Sequence, residues 1–457
     1  MKIIVAGCGK VGTALVSALE KEGHDLVAVD ISQQALDELT GIYDIMCVCG
    51  TVSDNDTLTE AGVADCSVFI ATTASDETNM LACFLARQMG AKHTIASIRN
   101  PEYNDKGLDF LCRTLGISMA INPDRITALE LFNILKFPSA ENIESFSGKF
   151  ELIELVLKEQ SAASGLSLAE LRRRFPAHFL ICAVQRDGEV FIPQGNFVLQ
   201  TGDRIALTAA PVEAQKLLRQ MGILQKSAKR VIIAGAGRKS HYLSELLTSS
   251  GVSVTVIEID RERCESFTTE IVNNSVYVIN GDGTSREVLE EEGIDSTDAF
   301  VSLTGVDETN ILSAIYAQSK HVPKVIAKVS RGELYEMAEK LGLDCVISPV
   351  NIVTGQICRY VRAVQNTLGS NIEALYKVMD GKVEALEFSV GSELPFCGIP
   401  LSELKLRKGI LIGGIIRGRR AVIPGGAECI RQGDRVVVIC SGHKLNDLAD
   451  IFEPRED

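Results

Sequence analysis

A glycine-rich segment near the start of the chain holds the residues whose spacing could do chemistry. Gly7-Cys8-Gly9-Lys10-Val11-Gly12 follows an apolar run at residues 3–6 and precedes a helical pattern. In such a strand–turn–helix unit, the glycines permit a tight turn, close approach of a diphosphate and close helix packing, and the helix start attracts phosphates. The segment predicts a nucleotide-binding site formed by Gly7, Cys8, Gly9, Lys10, Val11 and Gly12.

An acidic residue stands where a ribose-binding carboxylate is expected. Asp30 ends the second apolar run, about 20 residues after Gly9, which is the usual spacing for an acid that binds ribose hydroxyls. Its charge favours NAD or an adenine nucleotide over NADP, because a 2′-phosphate would meet a like charge. The alternative is that the glycines form only a tight turn.

The elements that position these residues alternate between strands and helices over residues 1–122. This alternation predicts a doubly wound parallel sheet, a Rossmann-like α/β domain. Ligands of such sheets bind outside the carboxyl ends of the first and fourth strands. The same crevice is therefore expected to contain Thr51, Thr72, Thr73, Asp76 and Arg99. Thr73 and Asp76 could instead cap the next helix, and Arg99 could be a solvated surface charge.

The chain repeats itself from residue 229. The segment Gly235-Ala236-Gly237-Arg238-Lys239-Ser240 takes the place of the first glycine-rich turn, and the block Asp76-Glu77-Thr78-Asn79 recurs letter for letter as Asp307-Glu308-Thr309-Asn310. Such self-similarity indicates a tandem duplication. The candidate site residues of the second copy are Gly235, Gly237, Arg238, Lys239, Ser240, Glu258, Asp282, Thr304, Asp307 and Arg331. In this set Glu258 corresponds to Asp30, and Arg331 is taken as the counterpart of Arg99.

The second turn differs from the first in charge and shape. Ser240 replaces the third glycine, so close helix packing is less assured, while Arg238 and Lys239 add positive charge. We hypothesise that this site binds a more highly charged nucleotide such as ADP or ATP. The alternative is a decayed, empty site.

Each large domain is followed by a helical connector and a small α+β domain. The expected bounds are 123–143 and 351–371 for the connectors, 144–222 and 372–457 for the small domains, and 229–350 for the second Rossmann-like domain. The first connector helix, residues 124–136, has a broad apolar face. It could pack on its own domain, although a dimer partner is favoured. The small domains contain no constellation that suggests catalysis.

Composition excludes several classes of protein. The 457 residues carry a net charge of −14, which opposes a general nucleic-acid binder. No apolar run approaches the roughly 18 residues of a membrane span, and the N-terminus already begins a strand, so no signal peptide is expected. The 13 cysteines form no C-x-x-C pair. We expect a reduced cytosolic chain with neither a disulfide framework nor a metal site.

The first glycine-rich turn, Asp30, both Asp-Glu-Thr-Asn blocks and the alternation of large and small domains resemble the KTN/RCK family. The resemblance covers nearly the whole chain and implies a regulatory subunit of a Trk-type bacterial potassium uptake system. It implies NAD(H) as ligand, with ATP or ADP as further ligands, and RCK C-terminal small domains. It also implies a homo-oligomeric ring docked at the inner face of the plasma membrane on a TrkH- or KtrB-like potassium channel or transporter subunit. A tetramer or a smaller oligomer would suit a symmetric channel base. The connector helices, 124–136 and 352–364, are then expected to pack across a subunit interface.

The resemblance implies regulation without catalysis. Nucleotides would favour different domain arrangements, and a γ-phosphate that reaches Arg99 or Arg331 could distinguish those arrangements. The alternative is an NAD-dependent oxidoreductase, which needs a proton donor or acceptor beside the nicotinamide. The six histidines are not paired with an orienting acid in sequence and are expected at the surface or at element edges. A redox-sensing repressor is disfavoured, since no basic recognition helix is evident.

Overall fold

The computed structural model describes most of the chain. The described residues are 1–101, 103, 105–136, 142–146, 149–159, 161–223, 228–271, 273–343, 345–367, 372–379, 381–391, 394–418, 420–443, 445 and 447–453. The chain forms two compact units, Met1–Phe132 with Ala228–Cys358, and Asn133–Ser227 with Arg359–Asp457. Each unit therefore combines equivalent parts of the two copies. The finer domain bounds stay a prediction, and the ends of the expected connectors, 137–141 and 368–371, lie outside the described residues.

The first unit begins with a six-stranded parallel sheet in the order 3-2-1-4-5-6. Its strands are β1 (Lys2–Ala6), β2 (Asp25–Asp30), β3 (Met46–Cys49), β4 (Val68–Ala71), β5 (His93–Ser97) and β6 (Met119–Ile121). The central strands are apolar and buried because helices cover both faces of the sheet. The predicted fold class is confirmed, and the strand order places the ends of β1 and β4 side by side.

Six helices connect or follow these strands. They are α1 (Lys10–Glu20), α2 (Gln33–Thr40), α3 (Asn55–Glu60), α4 (Asp76–Met89), α5 (Asp105–Leu115) and α6 (Pro123–Lys136). Sequence analysis did not identify α5. The first Asp-Glu-Thr-Asn block forms the first turn of α4, and the hydroxyl of Ser75 caps this helix by accepting a hydrogen bond from the Thr78 N–H.

The first small domain is an antiparallel sheet with two helices, in the strand order 10-9-11-8-7. Its elements are β7 (Asn142–Phe146), β8 (Phe150–Val156), α7 (Leu168–Arg174), β9 (Phe179–Arg186), β10 (Glu189–Phe191), β11 (Arg204–Ala209) and α8 (Pro211–Gln220). Sequence analysis did not identify β7 or α8. The turn that precedes β11 contains the buried carboxylate of Asp203, which accepts two hydrogen bonds from the Arg186 guanidinium, both at 2.7 Å.

The second copy repeats the parallel sheet in the corresponding order. Its strands are β12 (Arg230–Ala234), β13 (Ser253–Glu258), β14 (Val276–Asn280), β15 (Ala299–Ser302), β16 (Lys324–Lys328) and β17 (Val346–Ile347). Its helices are α9 (Arg238–Ser249), α10 (Arg261–Glu270), α11 (Arg286–Glu291), α12 (Asp307–Ser319), α13 (Gly332–Lys340) and α14 (Pro349–Thr367). No helix among the described residues is sufficiently long and apolar to cross a membrane.

The second small domain reproduces the first sheet with the strand order 18-19-22-20-21. Its strands are β18 (Ile372–Val378), β19 (Val383–Ser389), β20 (Ile410–Arg417), β21 (Arg420–Val422) and β22 (Asp434–Ser441). The two small domains share one apolar cluster that includes Phe150. The Thr208 hydroxyl donates to the Gly413 carbonyl at 2.6 Å, and the Phe150 ring lies where a side chain on Gly414 would fall. The two copies are therefore directly packed within this unit.

The glycine-rich turn of the first copy has no room for a side chain at Gly7 or at Gly12. A Cβ on Gly12 would lie 1.9 Å from the Gly7 carbonyl oxygen. Gly7 has a φ of +95°, and its Cβ would lie 2.7 Å from the Thr73 amide nitrogen. A Cβ on Gly9, in contrast, would meet no heavy atom of the described residues within 4 Å. Gly7 and Gly12 therefore set the packing, while the position of Gly9 is open.

We predict that Gly12→Ala destabilises the first sheet by about 2 kcal/mol or more, since the added methyl overlaps backbone that cannot move freely. Gly9→Ala, at the helix N-cap, should cost less than about 1 kcal/mol. The measurement is the urea concentration at which the amides of β1 lose protection from hydrogen exchange. Equal midpoints for the two variants would contradict the packing argument.

Candidate functional site

The first crevice lies at the carboxyl ends of the central strands of the first sheet. Its volume is about 650 Å³, and the corresponding crevice of the second copy has a volume of about 620 Å³. The predicted residues that line it are Gly7, Gly9, Lys10, Val11, Asp30, Thr51, Thr72, Thr73 and Arg99. The structure therefore brings together residues from the glycine-rich turn and from the ends of β2, β3, β4 and β5.

The glycine-rich turn presents backbone donors to this crevice. The Gly7 N–H donates to the Val29 carbonyl at 2.8 Å, and the Thr13 N–H closes the first turn of α1 on the Gly9 carbonyl at 2.9 Å. Among the described residues, no side chain caps α1. The early amides of the helix are thus available to an anionic ligand, and the open space beside Gly9 allows close approach. This geometry fits a diphosphate.

The carboxylate of Asp30 is held by the same turn. Its Oδ2 accepts a hydrogen bond from the Cys8 N–H at 2.6 Å, and its Oδ1 accepts one from the Ser32 N–H at 2.8 Å. A carboxylate oxygen can accept more than one hydrogen bond, so both oxygens keep capacity for ribose hydroxyls. Glu258 repeats this arrangement in the second copy, with Ala236 and Asp260 as donors at 2.8 and 3.0 Å.

Cys8 and Gly12 support the crevice from beneath. Burial, with a smaller contribution from Asp30, raises the pKa of the Cys8 thiol to about 12. The thiol is therefore protonated near neutral pH and is a poor nucleophile. Gly12 packs against the Gly7 carbonyl, as described above. Neither residue belongs to the described lining of the cavity.

Asp76 shapes the crevice without lining it. Its Oδ2 accepts hydrogen bonds from the backbone N–H groups of Arg99 and Asn100, at 2.8 and 2.7 Å. Asp307 makes the equivalent bonds to Ser330 and Arg331, at 2.9 and 3.0 Å. These acids fix the loop that follows the fifth strand of each sheet. The prediction that they bind ligand directly is not supported by this geometry.

The asparagine that ends each Asp-Glu-Thr-Asn block forms hydrogen bonds with the ends of two neighbouring strands. The buried amide of Asn79 accepts hydrogen bonds from the N–H and hydroxyl of Thr73 and donates to the Ser97 carbonyl at 2.9 Å. Asn310 does the same with Thr304 and the Lys328 carbonyl. The letter-for-letter repetition thus has a structural cause, since one helix turn positions both loops.

Sequence analysis missed crevice residues that the same block supplies. Thr78 lines the first crevice and Thr309 lines the second. The repetition of the block was the signal that could have identified them, because the threonine recurs at the same place in both copies.

The second crevice has a volume of about 620 Å³. The predicted residues that line it are Gly235, Gly237, Arg238, Lys239, Glu258, Asp282 and Thr304. Ser240 lies beneath the turn, is fully buried, and donates its hydroxyl hydrogen to the Gly235 carbonyl at 2.5 Å. A Cβ on Gly235 would lie 3.1 Å from the Leu303–Thr304 backbone, a slightly wider gap than at Gly7. The serine is therefore accommodated with its polar group paired.

The prediction that Arg331 stands where Arg99 stood is wrong by one residue. The pairing of β15 with β16 matches that of β4 with β5, and the Asp307 bonds show that Ser330 is the counterpart of Arg99. The Arg331 guanidinium is half-exposed, bonds to Glu308 and lies 3.7 Å from Asp307. It does not belong to the described lining of the second crevice.

A lysine that sequence analysis missed supplies the positive charge in this part of the second crevice. Lys328 lines the cavity and donates from Nζ to the Thr304 carbonyl at 2.7 Å. Burial, together with the nearby charges of Lys239 and Lys10, lowers the pKa of Lys328, although Asp307 opposes the shift. Ser97 occupies the equivalent place in the first copy. The described lining of the second crevice contains four basic residues and two acids (Arg238, Lys239, Arg263 and Lys328; Glu258 and Asp282), whereas that of the first contains two and one (Lys10 and Arg99; Asp30), so the second crevice is the more basic one.

An acid of the first copy reaches the second glycine-rich turn. Asp124, in the first turn of α6, lies 2.5 Å from Lys239 Nζ and 3.1 Å from Arg238 Nε. Asn122 also donates to the Tyr242 hydroxyl at 3.3 Å. The start of this connector helix thus contacts the other copy in the same chain. No local pattern revealed this contact, because the partners are far apart in sequence.

The histidines provide no acid or base in either cavity. Neither crevice includes a histidine among the described residues that line it. His24 is buried, lies 3.7 Å from Glu22 and directly precedes β2, which agrees with the expected position at the edge of an element. His241 lies beside the second turn, between Glu245 and Glu270 at 3.6 and 3.5 Å.

Comparison with known proteins identifies relatives over the full chain. A family model described as the TrkA-N domain matches residues 3–123 and 231–349, and one described as the TrkA-C domain matches 152–222 and 385–453. The chain is 31% identical over 453 residues to the "Trk system potassium uptake protein TrkA homolog" of Archaeoglobus fulgidus, with 99% of this chain and 100% of that protein covered. It is 30% identical over 459 residues to the "Trk system potassium uptake protein TrkA" of Vibrio alginolyticus, with 99% of each covered.

Solved structures share the same fold. The "GsuK channel bound to NAD" matches with a TM-score of 0.64 and 20% identity, over 96% of this chain and 77% of that chain. The "Crystal Structure of the GsuK RCK domain" matches with a TM-score of 0.63 and 19% identity, over 96% and 92% of the two chains. At this level of identity the likeness shows the fold alone.

We predict that Gly9→Asp weakens NADH binding at the first crevice by about a hundredfold or more, which corresponds to roughly 2.7 kcal/mol. The new carboxylate occupies open space, so the fold is retained, but it repels the diphosphate and blocks its approach. Titration calorimetry measures the affinity. Gly237→Asp is the matched control, since it changes the other turn and should leave this binding event intact. Unchanged NADH affinity in Gly9→Asp would refute the assignment of the turn.

Proposed function

This chain belongs to the TrkA family of Trk system potassium uptake proteins, and we propose that it is the nucleotide-binding regulatory subunit of such a system. The observation that carries the proposal is the pair of glycine-lined crevices in one chain. Each has an open backbone position at its second glycine and a carboxylate bound to the turn. In this proposal, bound nucleotides set the conformation that the transporter senses.

The charges of the two crevices favour different ligands. Asp30 suits the ribose of NAD(H) in the first crevice, where Lys10 and Arg99 are the basic residues of the lining. Arg238, Lys239 and Lys328 give the second crevice more positive charge, which suits ADP or ATP. The relative named GsuK has been solved with NAD and with ADP, which is in keeping with a site of this type.

The proposed role is regulatory and involves no catalytic turnover. An oxidoreductase requires a group that exchanges a proton with the substrate beside the nicotinamide. The described lining of the crevices provides no histidine, and the Cys8 thiol is held protonated by burial. The names of the relatives, potassium uptake proteins, support a role in binding over hydride transfer.

The partner in this proposal is a membrane-embedded potassium channel or transporter subunit of the TrkH or KtrB type. The chain would assemble as a homo-oligomer, a tetramer, at the inner face of the plasma membrane. The relatives are named as parts of potassium uptake systems, and the solved structures with the same fold include a channel. Their names support a membrane partner for this chain.

The proposed mechanism is a shift in population between domain arrangements. A ligand can shift such an equilibrium only through unequal affinity for the two arrangements. A γ-phosphate near Arg99 in the first crevice, or near Lys328 in the second, supplies a contact that a diphosphate lacks. Arg331 does not take this role in the proposal, because its side chain bonds to Glu308.

We predict that Arg99→Ala lowers the ratio of ATP to ADP affinity at the first crevice by about three- to tenfold, because a charge-assisted hydrogen bond is lost. NADH affinity should change little. Arg331→Ala removes the same charge outside the crevice and serves as the matched control. An unchanged ratio in Arg99→Ala, measured by calorimetry in the Gly237→Asp background, would discard the role of Arg99.

We predict that the purified protein retains bound nucleotide and does not consume it. Mass spectrometry of ligands released from the protein, and from its Gly9→Asp and Gly237→Asp variants, assigns each nucleotide to a crevice. The absorbance of added NADH at 340 nm should stay constant with candidate oxidants present. Sustained NADH consumption, lost in Gly9→Asp, would instead establish the oxidoreductase.

A further inference from the structure

The basic side chains of the second glycine-rich turn are already engaged by an anion within the protein. Asp124 belongs to the first copy, is 6% exposed, and places its two carboxylate oxygens on Lys239 and Arg238. These cations also line the second crevice. The carboxylate and an incoming phosphate would therefore interact with the same two groups.

The described basic residues that line the second crevice outnumber its lining acids, Glu258 and Asp282, by two. Lys328 stands in the wall of the cavity with Asp307 at 3.8 Å, and Lys239 and Lys10 are close enough to oppose its protonation. Basic groups gathered in this way favour a polyvalent anion. A triphosphate brings more negative charge than the single carboxylate of Asp124 and can compete with it.

The contact that Asp124 makes also joins the two copies. The neighbouring Asn122 donates to the Tyr242 hydroxyl of α9 at 3.3 Å, so the start of α6 is bound to the start of α9 at two places. Loss of the carboxylate contact would leave the neutral hydrogen bond, which contributes less than a charged one.

The first copy lacks an equivalent carboxylate. Pro123 and Pro349 begin the two connector helices, so the residue that corresponds to Asp124 is Val350. A valine cannot pair with a lysine of the first turn. A carboxylate from the other copy therefore pairs with the glycine-rich turn only at the second crevice among the described residues, where the additional basic residues also occur.

We propose that Asp124 acts as an internal substitute for phosphate at the second glycine-rich turn, and that a nucleoside polyphosphate must displace it to bind fully. This inference rests on the proposed nucleotide binding and deepens it. Displacement separates the carboxylate from Lys239 and Arg238 and so weakens the contact between the two Rossmann-like domains. Binding of a highly charged ligand in the second crevice thereby changes the packing between the two Rossmann-like domains.

The test compares Asp124→Asn with its parent in full-length protein that carries Gly9→Asp, so that only the second crevice binds. ATP is titrated by calorimetry with EDTA present, which prevents a metal ion from bridging the two anions. Asp124→Asn should bind ATP about tenfold more tightly, because the competing charge is gone while the side-chain size is kept. Glu308→Gln, which neutralises an acid paired with an arginine outside the crevice, should leave the affinity unchanged.

Hydrogen exchange provides a second measurement that does not depend on affinity. ATP should raise amide exchange in the first two turns of α6 in the parent, and Asp124→Asn should show raised exchange before ATP is added. Equal ATP affinity in parent and Asp124→Asn, or exchange in α6 that ATP leaves unchanged, would overturn the inference while leaving nucleotide binding intact. Absence of ATP binding in both proteins would refute the proposed ligand of the second crevice, and this inference with it.

Discussion

The close approach of strand and helix at the glycine-rich turn is the constraint on which the crevice depends. The Gly7 carbonyl occupies the space that a side chain on Gly12 would need, and Gly7 itself adopts a conformation that other residues rarely accept. This contact brings the start of α1 to the end of β1. The first amides of the helix, which no described side chain caps, and the carboxylate of Asp30 are then held around one cavity.

The second copy satisfies the same constraint in another way. Ser240 introduces a side chain at the tightest point, but its hydroxyl bonds to the Gly235 carbonyl, and the turn is slightly wider. A buried hydroxyl that finds an acceptor avoids most of the cost of desolvation. The turn therefore keeps its form, and the differences between the crevices lie in charge, through Arg238, Lys239 and Lys328.

Local patterns predicted much of the fold and most of the crevice. The glycines, Asp30 and the alternation of strands and helices follow from short-range sequence spacing, so they could be identified directly. The assignment of Arg331 was an avoidable error, because the 231-residue offset between the two Asp-Glu-Thr-Asn blocks already places Ser330 opposite Arg99 and Lys328 opposite Ser97. The Asp124 contact was out of reach, since it depends on how two folded domains meet.

Covalent linkage of two similar halves has a consequence for how they can diverge. Two identical subunits would present the same residue on both sides of their symmetry axis, whereas this polypeptide carries Asp124 on one side and Val350 on the other. Each half can therefore acquire its own chemistry while the pairing surface is retained. Under the proposed function, a single molecule can then bind a different nucleotide in each half.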